Sequence, residues 1–432
     1  VVWRNVLLKL GYTKDDANQF IAGPAFQAWW LMNNLEGWGG PNSDNWYQQR
    51  ERLQKQIMKR MKELGINVCL PGYSGMVPHD AKQRLGLDVA DPGKWNDYKR
   101  PAFLQPTSKR FAEIASIYYK EQQRLYGKAD FYSMDPFHEG GNAGGVDLRK
   151  AGEAIMGAMK AVNPKAVWVV QAWGACPYPS MIKHLKNGDM LVLDLYSENR
   201  PQWGDPESTW YRKEGFNGHD WAFCMLLNFG GNVGMFGKLQ HVVDEYYKAR
   251  CSPFNSTMKG VGLTMEGIEN NPVMYELVSE LPWRDAKFSW KEWLHDYVEA
   301  RYGNINNAKV HDAWLLLARS VYGAGAKIVE QGCHESVLCA RPALDVYQVS
   351  SWSEMEEFYN PDDVIRAARL MVEASHEVKS NANFRYDLVD VTRQAIAEQA
   401  RYVYDEIVAA YKAKDRKMFD YTTKRFLDIL LQ

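Results

Sequence analysis

The chain has 432 residues, is 46% hydrophobic and 24% charged, and carries a formal net charge of -1. This composition excludes a chain dominated by disorder, and the length predicts two domains, one of them large enough to be a barrel. With no basic block, a nucleic-acid or anionic-membrane partner has no electrostatic support, and no run of 18 apolar residues exists to span a bilayer.

The opening Val1-Val2-Trp3-Arg4 carries no initiator Met and does not resemble a signal peptide, so the chain is expected to be a fragment whose start says nothing of localisation. An unusually dense aromatic-amide loop, GPAFQAWWLMNN, follows at 23–34. The spacing of Leu53, Ile57, Met61 and Leu64 predicts a helix over 46–64, stopped by Gly65. A short apolar run at 66–70 breaks at Pro71-Gly72, and a helix over 109–126 ends at Gly127. Further short runs lie at 131–135, 166–172, 190–196, 221–227 and 260–265. They are rich in Val, Leu and aromatics, and polar residues gather at their C-terminal ends.

Near-continuous apolar strands separated by helices read as parallel βα units covered on both faces. Six strands with carboxylates and aromatics at their ends predict an α/β fold, a (β/α)8 barrel of the TIM type. Its chemistry would lie at the C-terminal face of the strands. Two further strands are expected upstream of Val1. The alternative, a doubly wound open sheet, normally shows a glycine-rich phosphate turn after its first strand, and none is present. Residues 1–300 are therefore assigned to the barrel and 301–432 to an all-α domain. In the latter, Asn360-Pro361-Asp362-Asp363 starts a helix continued by Val364, Ala367, Met371 and Ala374, and helical patterns cover 386–411 and 426–432.

None of the six cysteines forms a C-x-x-C pair, which excludes the usual zinc and redox motifs. Cys333 and Cys339 share a loop and are candidates for a disulfide, two free thiols being the alternative. His79 and His219 have no second ligand at metal spacing and read as hydrogen-bonding residues. Sixteen tryptophans are the compositional anomaly. Many sit beside Gly, Asn and Asp, where an indole stacks on a sugar ring as readily as it fills a core.

The chemistry concentrates at two glutamates. Glu139, in Phe137-His138-Glu139-Gly140-Gly141-Asn142, follows a predicted strand, and the glycines leave space above its carboxylate. Walled by Phe137 and His138, it suits a general acid; the bland alternative is a solvated loop glutamate. Glu266 ends the run at 260–265, again before a glycine, and is preferred to Glu269, which is expected to cap the helix opening near Pro272. Two carboxylates on one barrel face are the equipment of glycoside hydrolysis. Asp194, which ends its strand as Glu139 does and has Glu198 close by, is a third candidate, with an internal structural acid as its alternative. Trp173 and Trp221 are candidates for sugar stacking or for the core.

Taken together, GPAFQAWW, LPGYSGMVP, DPFHEGG, VWVVQAW, LVLDLYSE, WAFCMLLNFGGN, NSTMKGVGLTMEGIENNPVMYEL and FRYDLVDVTRQA run in order along nearly the whole chain. The sequence thereby resembles the α-N-acetylglucosaminidases of glycoside hydrolase family 89. The resemblance implies a retaining exo-glycosidase that removes terminal α-linked N-acetylglucosamine, with Glu139 as acid/base and Glu266 as nucleophile. It implies substrate contacts from Trp29, His138, Trp173, Asp194, Trp221 and Asn228, and neither a metal nor an organic cofactor. The partner is a glycan ending in α-GlcNAc. Oligomeric state stays open, and a secreted, periplasmic, cell-surface or lysosomal setting follows from the relatives. His138 stands before the acid/base where the family's lysosomal enzyme has Asn. The family's small N-terminal domain and first two barrel strands have no counterpart here, and the barrel so opened is expected to expose apolar surface. The competing readings are a catalytically impaired or non-catalytic sugar-binding protein on the same scaffold, and a substrate-assisted mechanism. The latter wants two adjacent carboxylates at one strand end, which are not seen.

Overall fold

The computed structural model describes residues 1–227, 232, 234–267, 270–303, 305–325, 336–347 and 357–431. The chain divides into two compact units. The first comprises Val1–Leu195, Arg200–Phe223 and Pro253–Gly260; the second comprises Tyr196–Asn199, Cys224–Ser252 and Val261–Gln432.

In chain order the strands are β1 (Cys69–Pro71), β2 (Met76–Val77), β3 (Val89–Ala90), β4 (Lys94–Trp95), β5 (Tyr98–Lys99) and β6 (Ala102–Leu104). They continue with β7 (Phe131–Ser133), β8 (Val167–Ala172), β9 (Met190–Asp194), β10 (Asp220–Met225) and β11 (Met258–Leu263). The principal sheet takes β1, β7, β8, β9, β10 and β11 in that spatial order. These are the six strands expected from the apolar runs. The registers Leu70↔Tyr132, Tyr132↔Trp168, Val169↔Leu191 and Trp221↔Val192 are all parallel. A doubly wound sheet reverses its strand order at a switch point. Here the order never reverses, which is the progression of a (β/α) barrel. In β8, Trp168, Val169, Val170 and Ala172 are buried, as strands covered on both faces require.

Helices return the chain between strands. Lys109–Tyr126 starts at Ser108, whose side chain accepts from the Arg110 amide, and it buries Phe111, Ile114, Ala115, Tyr118 and Leu125 along one face. Leu148–Val162 is capped by Asp147 and buries Ile155, Met156 and Met159. The helix Asp44–Glu63 forms where predicted, but among its residues only Tyr47 is buried. Its apolar stripe stays in solvent, with Leu53 43% and Leu64 56% exposed, so periodicity found the helix but not a burial partner. The short antiparallel pieces β2-β6-β3 and β4-β5 escaped sequence reading, because strands of two or three residues carry too little alternation to register.

The second unit is chiefly helical: Trp290–Tyr302, Ala308–Arg319, Pro361–Val378, Ala382–Lys412 and Arg416–Leu430. Asn360 accepts from the Asp362 amide, and Val364, Ala367, Met371 and Ala374 are buried, as the pattern required. Cys333 lies outside the described residues, and with it the choice between a disulfide to Cys339 and two free thiols. Among the described residues no helix is long and apolar enough to cross a membrane.

One buried ion pair ties three of these helices. Arg301 donates from Nε and Nη2 to the two oxygens of Asp387 at 2.5 and 2.8 Å. Tyr302 donates its hydroxyl to Asp387 Oδ2 at 2.6 Å, and Trp314 Nε1 donates to that hydroxyl at 2.9 Å. Removing one partner of such a pair leaves an uncompensated buried charge. Asp387→Ala is expected to destabilise the protein by about 3 kcal/mol, read as a lower urea midpoint; an unchanged midpoint would show the pair to be dispensable.

Candidate active site

Glu139 sits in a tight turn just past the C-terminal end of β7. Phe137 (φ 61°) and Glu139 (φ 48°) are both left-handed, a conformation that costs a non-glycine residue about 1–2 kcal/mol. The turn also depends on Gly141, where a Cβ would stand 2.7 Å from the Phe137 Cα. Packing and hydrogen bonds hold the strain. The buried Phe137 ring lies 4.6 Å from that of Phe103, Trp168 Nε1 donates to the Met134 carbonyl at 2.9 Å, and Cys176 Sγ approaches the Phe137 carbonyl at 3.4 Å.

Two residues that sequence reading did not single out complete the hold. Asn34 Nδ2 donates to Glu139 Oε2 at 2.5 Å. Arg100, fully buried, donates from Nη1 to Asn34 Oδ1 at 2.9 Å and from Nη2 to the Glu139 carbonyl at 2.7 Å. One guanidinium therefore fixes both the backbone of Glu139 and the amide that faces its carboxylate, while burial pushes Arg100 below its ordinary value against the attraction of Glu139. Asn34 lies within the aromatic-amide loop, so its neighbourhood was legible. Arg100 follows a short hairpin and gave no signal.

Burial governs the acids and bases beneath the turn. Asp135 accepts from the Gln171 amide at 2.7 Å, yet desolvation pushes its carboxyl up to about 7. Desolvation first, and the Arg100 charge second, push His138 down to about 4, so at neutral pH its ring is uncharged. Neither ring nitrogen of this buried histidine has a hydrogen-bond partner among the described residues. Cys176 rises to about 12, through burial and then the nearby Asp135.

Glu266 follows β11 in the second unit. It is exposed, and the adjoining Thr264 is anchored to the Met225 carbonyl through its amide at 3.0 Å and its hydroxyl at 3.1 Å. Glu198 belongs to the same unit and is buried. Its Oε1 accepts from the amides of Leu226 and Leu227 at 2.9 and 2.7 Å, pinning the left-handed Leu227 (φ 72°) just past β10. Burial pushes Glu198 up to about 7. Lys238, also buried, bonds Asn199 Oδ1 at 2.6 Å, and burial lowers it to about 8 against the pull of Glu198.

The remaining candidates fall into different places. Trp29 is 36% exposed on the short helix Gln27–Leu31, and Trp173 is half-buried with its ring 4.7 Å from that of Trp210. Asp194 is completely buried, and its Oδ2 accepts from the amides of Gln202 and Trp203 at 2.9 and 3.1 Å, the bonding of a loop anchor. Trp221 stands near the start of β10, the end remote from the strand's C-terminus. It is buried there, parallel to Trp203, and its Nε1 is taken by the Phe254 carbonyl at 3.1 Å. Asn228 and Glu269 lie outside the described residues. His79 and His219 bond the carbonyls of Arg100 and Ile182 at 2.7 and 2.9 Å, the hydrogen-bonding role expected of them.

Comparison with known proteins bears on what this arrangement belongs to. The model of the α-N-acetylglucosaminidase TIM-barrel domain matches residues 1–285, and that of the C-terminal domain of the same proteins matches 293–432. The chain belongs to the α-N-acetylglucosaminidase family. Human α-N-acetylglucosaminidase is 34% identical over a match covering 96% of this chain and 56% of the human protein. A family 89 glycoside hydrolase from Clostridium perfringens, solved in complex with PUGNAc, aligns with a TM-score of 0.89 at 32% identity, over 99% of this chain and 48% of that one. A doubly Glu→Gln-substituted form of that enzyme, solved with its substrate GlcNAc-α-1,4-galactose, matches to the same degree. The chain thus spans about half the length of these relatives.

In this α-N-acetylglucosaminidase family member the buried Asp135 gives a pH test of the turn's foundation. Its folded carboxyl titrates near 7 against an ordinary 3.8, so the folded state holds the proton more tightly than the unfolded. That contribution to stability is complete below about pH 4 and is lost as the pH rises through about 7. Asp135→Asn keeps an acceptor for the Gln171 amide and cannot ionise. Urea denaturation across this range is expected to show the variant gaining on the wild type as the pH rises; parallel profiles would contradict the burial-driven shift.

Proposed function

We propose that the protein is a retaining exo-α-N-acetylglucosaminidase in which Glu139 is the acid/base and Glu266 the nucleophile. The observation that carries the reading is the strained turn at the end of β7. It holds one carboxylate by a side-chain amide and a buried guanidinium, an expense of conformation that a solvated loop glutamate does not need. Glu266 follows another strand of the same sheet, at the C-terminal end where barrels gather their chemistry. Membership of the family, and the substrate borne by the Clostridium enzyme, support α-GlcNAc as the sugar removed.

In the first step Glu139, as the carboxylic acid, gives its proton to the glycosidic oxygen while the bond to the anomeric carbon breaks. Glu266 attacks that carbon and forms a glycosyl ester. In the second, Glu139, now a carboxylate, takes a proton from water, the water oxygen bonds to the anomeric carbon, and the ester to Glu266 breaks. Two inversions return the α configuration. A carboxyl separation of about 5–5.5 Å belongs to this route and roughly 6.5–9.5 Å to inversion. Trp29, Trp173 and His138 are proposed to contact the sugar. Asp194 and Trp221, whose polar atoms hold loop backbone, are proposed to shape the walls behind it. No cluster of Lys and Arg marks a sulfate site in these loops, which favours a neutral glycan.

Glu139→Gln and Glu266→Gln are each expected to reduce release of 4-nitrophenol from its α-N-acetylglucosaminide by more than about 1,000-fold. Azide is expected to restore turnover to the first variant, and proton NMR of the wild-type reaction to show the α anomer first. Near-wild-type turnover in either variant, or initial β product, would sink the assignment.

A further inference from the structure

The first unit carries a closed circuit of five aromatic rings that the turn of Glu139 does not use. Phe26 and Trp38 meet edge-on at 4.4 Å, Trp38 and Tyr98 edge-on at 5.5 Å. Tyr98 and Trp95 lie 6.0 Å apart at 31°, Trp95 and Trp29 6.1 Å apart at 30°, and Trp29 returns to Phe26 at 6.4 Å. Two local features assemble it. The chain crosses itself at Gly23 and Gly39 so tightly that a Cβ on Gly23 would stand 1.8 Å from the Gly39 carbonyl oxygen, and the Gly23 amide bonds the Trp38 carbonyl at 2.7 Å. On the hairpin, Trp95 and Tyr98 are direct cross-strand partners, with Asn96 in the left-handed turn between them (φ 50°).

A hydrophobic cluster built only for stability buries its rings. Here Trp38 is 47% exposed, Trp29 is exposed as well, and Trp95, Tyr98 and Phe26 are half-covered. Three rings, Trp29, Trp95 and Tyr98, succeed one another with modest tilts, and edge-on neighbours at Trp38 and Phe26 fix their orientation. Aromatic faces carry negative quadrupole charge, which suits the weakly positive C–H faces of pyranose rings. The charge nearby is mixed: Lys99 pairs with Glu36 at 3.5 Å and Asp97 sits in the turn, so nothing there selects sulfate.

Position supplies the occupant. The hairpin is bonded to the Glu139 turn at two points. Arg100, the residue after β5, bonds the Gly93 carbonyl through its amide at 3.1 Å and the Glu139 carbonyl through its guanidinium, and the Asn142 amide bonds the Pro92 carbonyl at 3.0 Å. An acid/base stands beside the leaving-group oxygen, so a platform fastened to its turn lies alongside the departing glycan.

We propose that Trp38, Trp95 and Tyr98, continuing from Trp29, form a binding platform for neutral sugar units on the reducing side of the scissile bond. The inference rests on Glu139 being the acid/base. It makes the protein an enzyme for oligosaccharide chains rather than for any α-GlcNAc glycoside.

The test compares kcat/KM on 4-nitrophenyl α-N-acetylglucosaminide with that on α-GlcNAc-capped neutral tri- and tetrasaccharides. The wild type is expected to prefer the longer chains. Trp95→Ala and Trp38→Ala are each expected to reduce that preference roughly five-fold, Trp95→Phe to retain most of it, and Trp283→Ala, an exposed tryptophan elsewhere, to leave both rates unchanged. Circular dichroism of the alanine variants confirms folding. Equal loss on both substrates would make the circuit a structural prop, and a wild type indifferent to chain length would also overturn the platform. No release from any of these substrates would instead overturn the glycosidase reading itself.

Discussion

A single buried guanidinium organises the first unit's chemistry. Arg100 reaches Asn34 with one nitrogen and the Glu139 carbonyl with another, while its own backbone closes the hairpin that carries Trp95 and Tyr98. Only a planar fork of donors spans such partners at fixed angles; a lysine ammonium in the same cavity would be a point charge on a flexible stem. Burying that cation costs several kcal/mol before compensation. The return is positional. Three segments distant in sequence, the aromatic-amide loop, the hairpin and the Glu139 turn, are brought to one register.

The strain in the site is distributed by the same logic. Left-handed non-glycine residues follow two strands of the sheet, at Phe137 and Glu139 after β7 and at Leu227 after β10. Each has a fixed scaffold element beside it. Phe103, Trp168 and Cys176 serve the first turn, and the Glu198 carboxylate serves the second. Turns of this kind persist where surrounding structure over-determines them, and barrels place them at strand ends, where side chains must leave the packed interior for the open face.

The central strands of the sheet were legible because they are largely buried, which favours apolar residues on both faces, and Val, Leu and Trp dominate β8 and β9. Glycine after carboxylate then marked Glu139 and Glu266, since a turn that frees a carboxylate needs residues tolerant of unusual φ. Arg100 was invisible for the opposite reason. Its importance comes from contacts 66 and 39 residues away in the chain, and it follows a strand of two residues. Trp221 shows the ambiguity of composition. An indole at a strand's start and an indole at its end look alike in sequence, and burial beside Trp203 distinguishes them. Asp194 is similar: a strand-end acid serves a loop as readily as a substrate, and its bonds go to the amides of Gln202 and Trp203.

Burial also simplifies the electrostatics that Glu139 experiences. Asp135 beneath it is pushed up to about 7 and His138 beside it down to about 4, so in mildly acid solution both are neutral. Of these neighbours Arg100 alone keeps a full charge, and Asn34 adds one oriented N–H dipole. In the proposed mechanism the acid/base must exist in both protonation states within one catalytic cycle, and titrating neighbours would make its local field vary with pH. Silencing them by desolvation leaves a field set by a permanent cation and an amide, which is constant over the range in which the carboxyl itself must exchange its proton. The proposed platform next to the turn continues this economy, offering a departing sugar five aromatic rings with no carboxylate or ammonium among them.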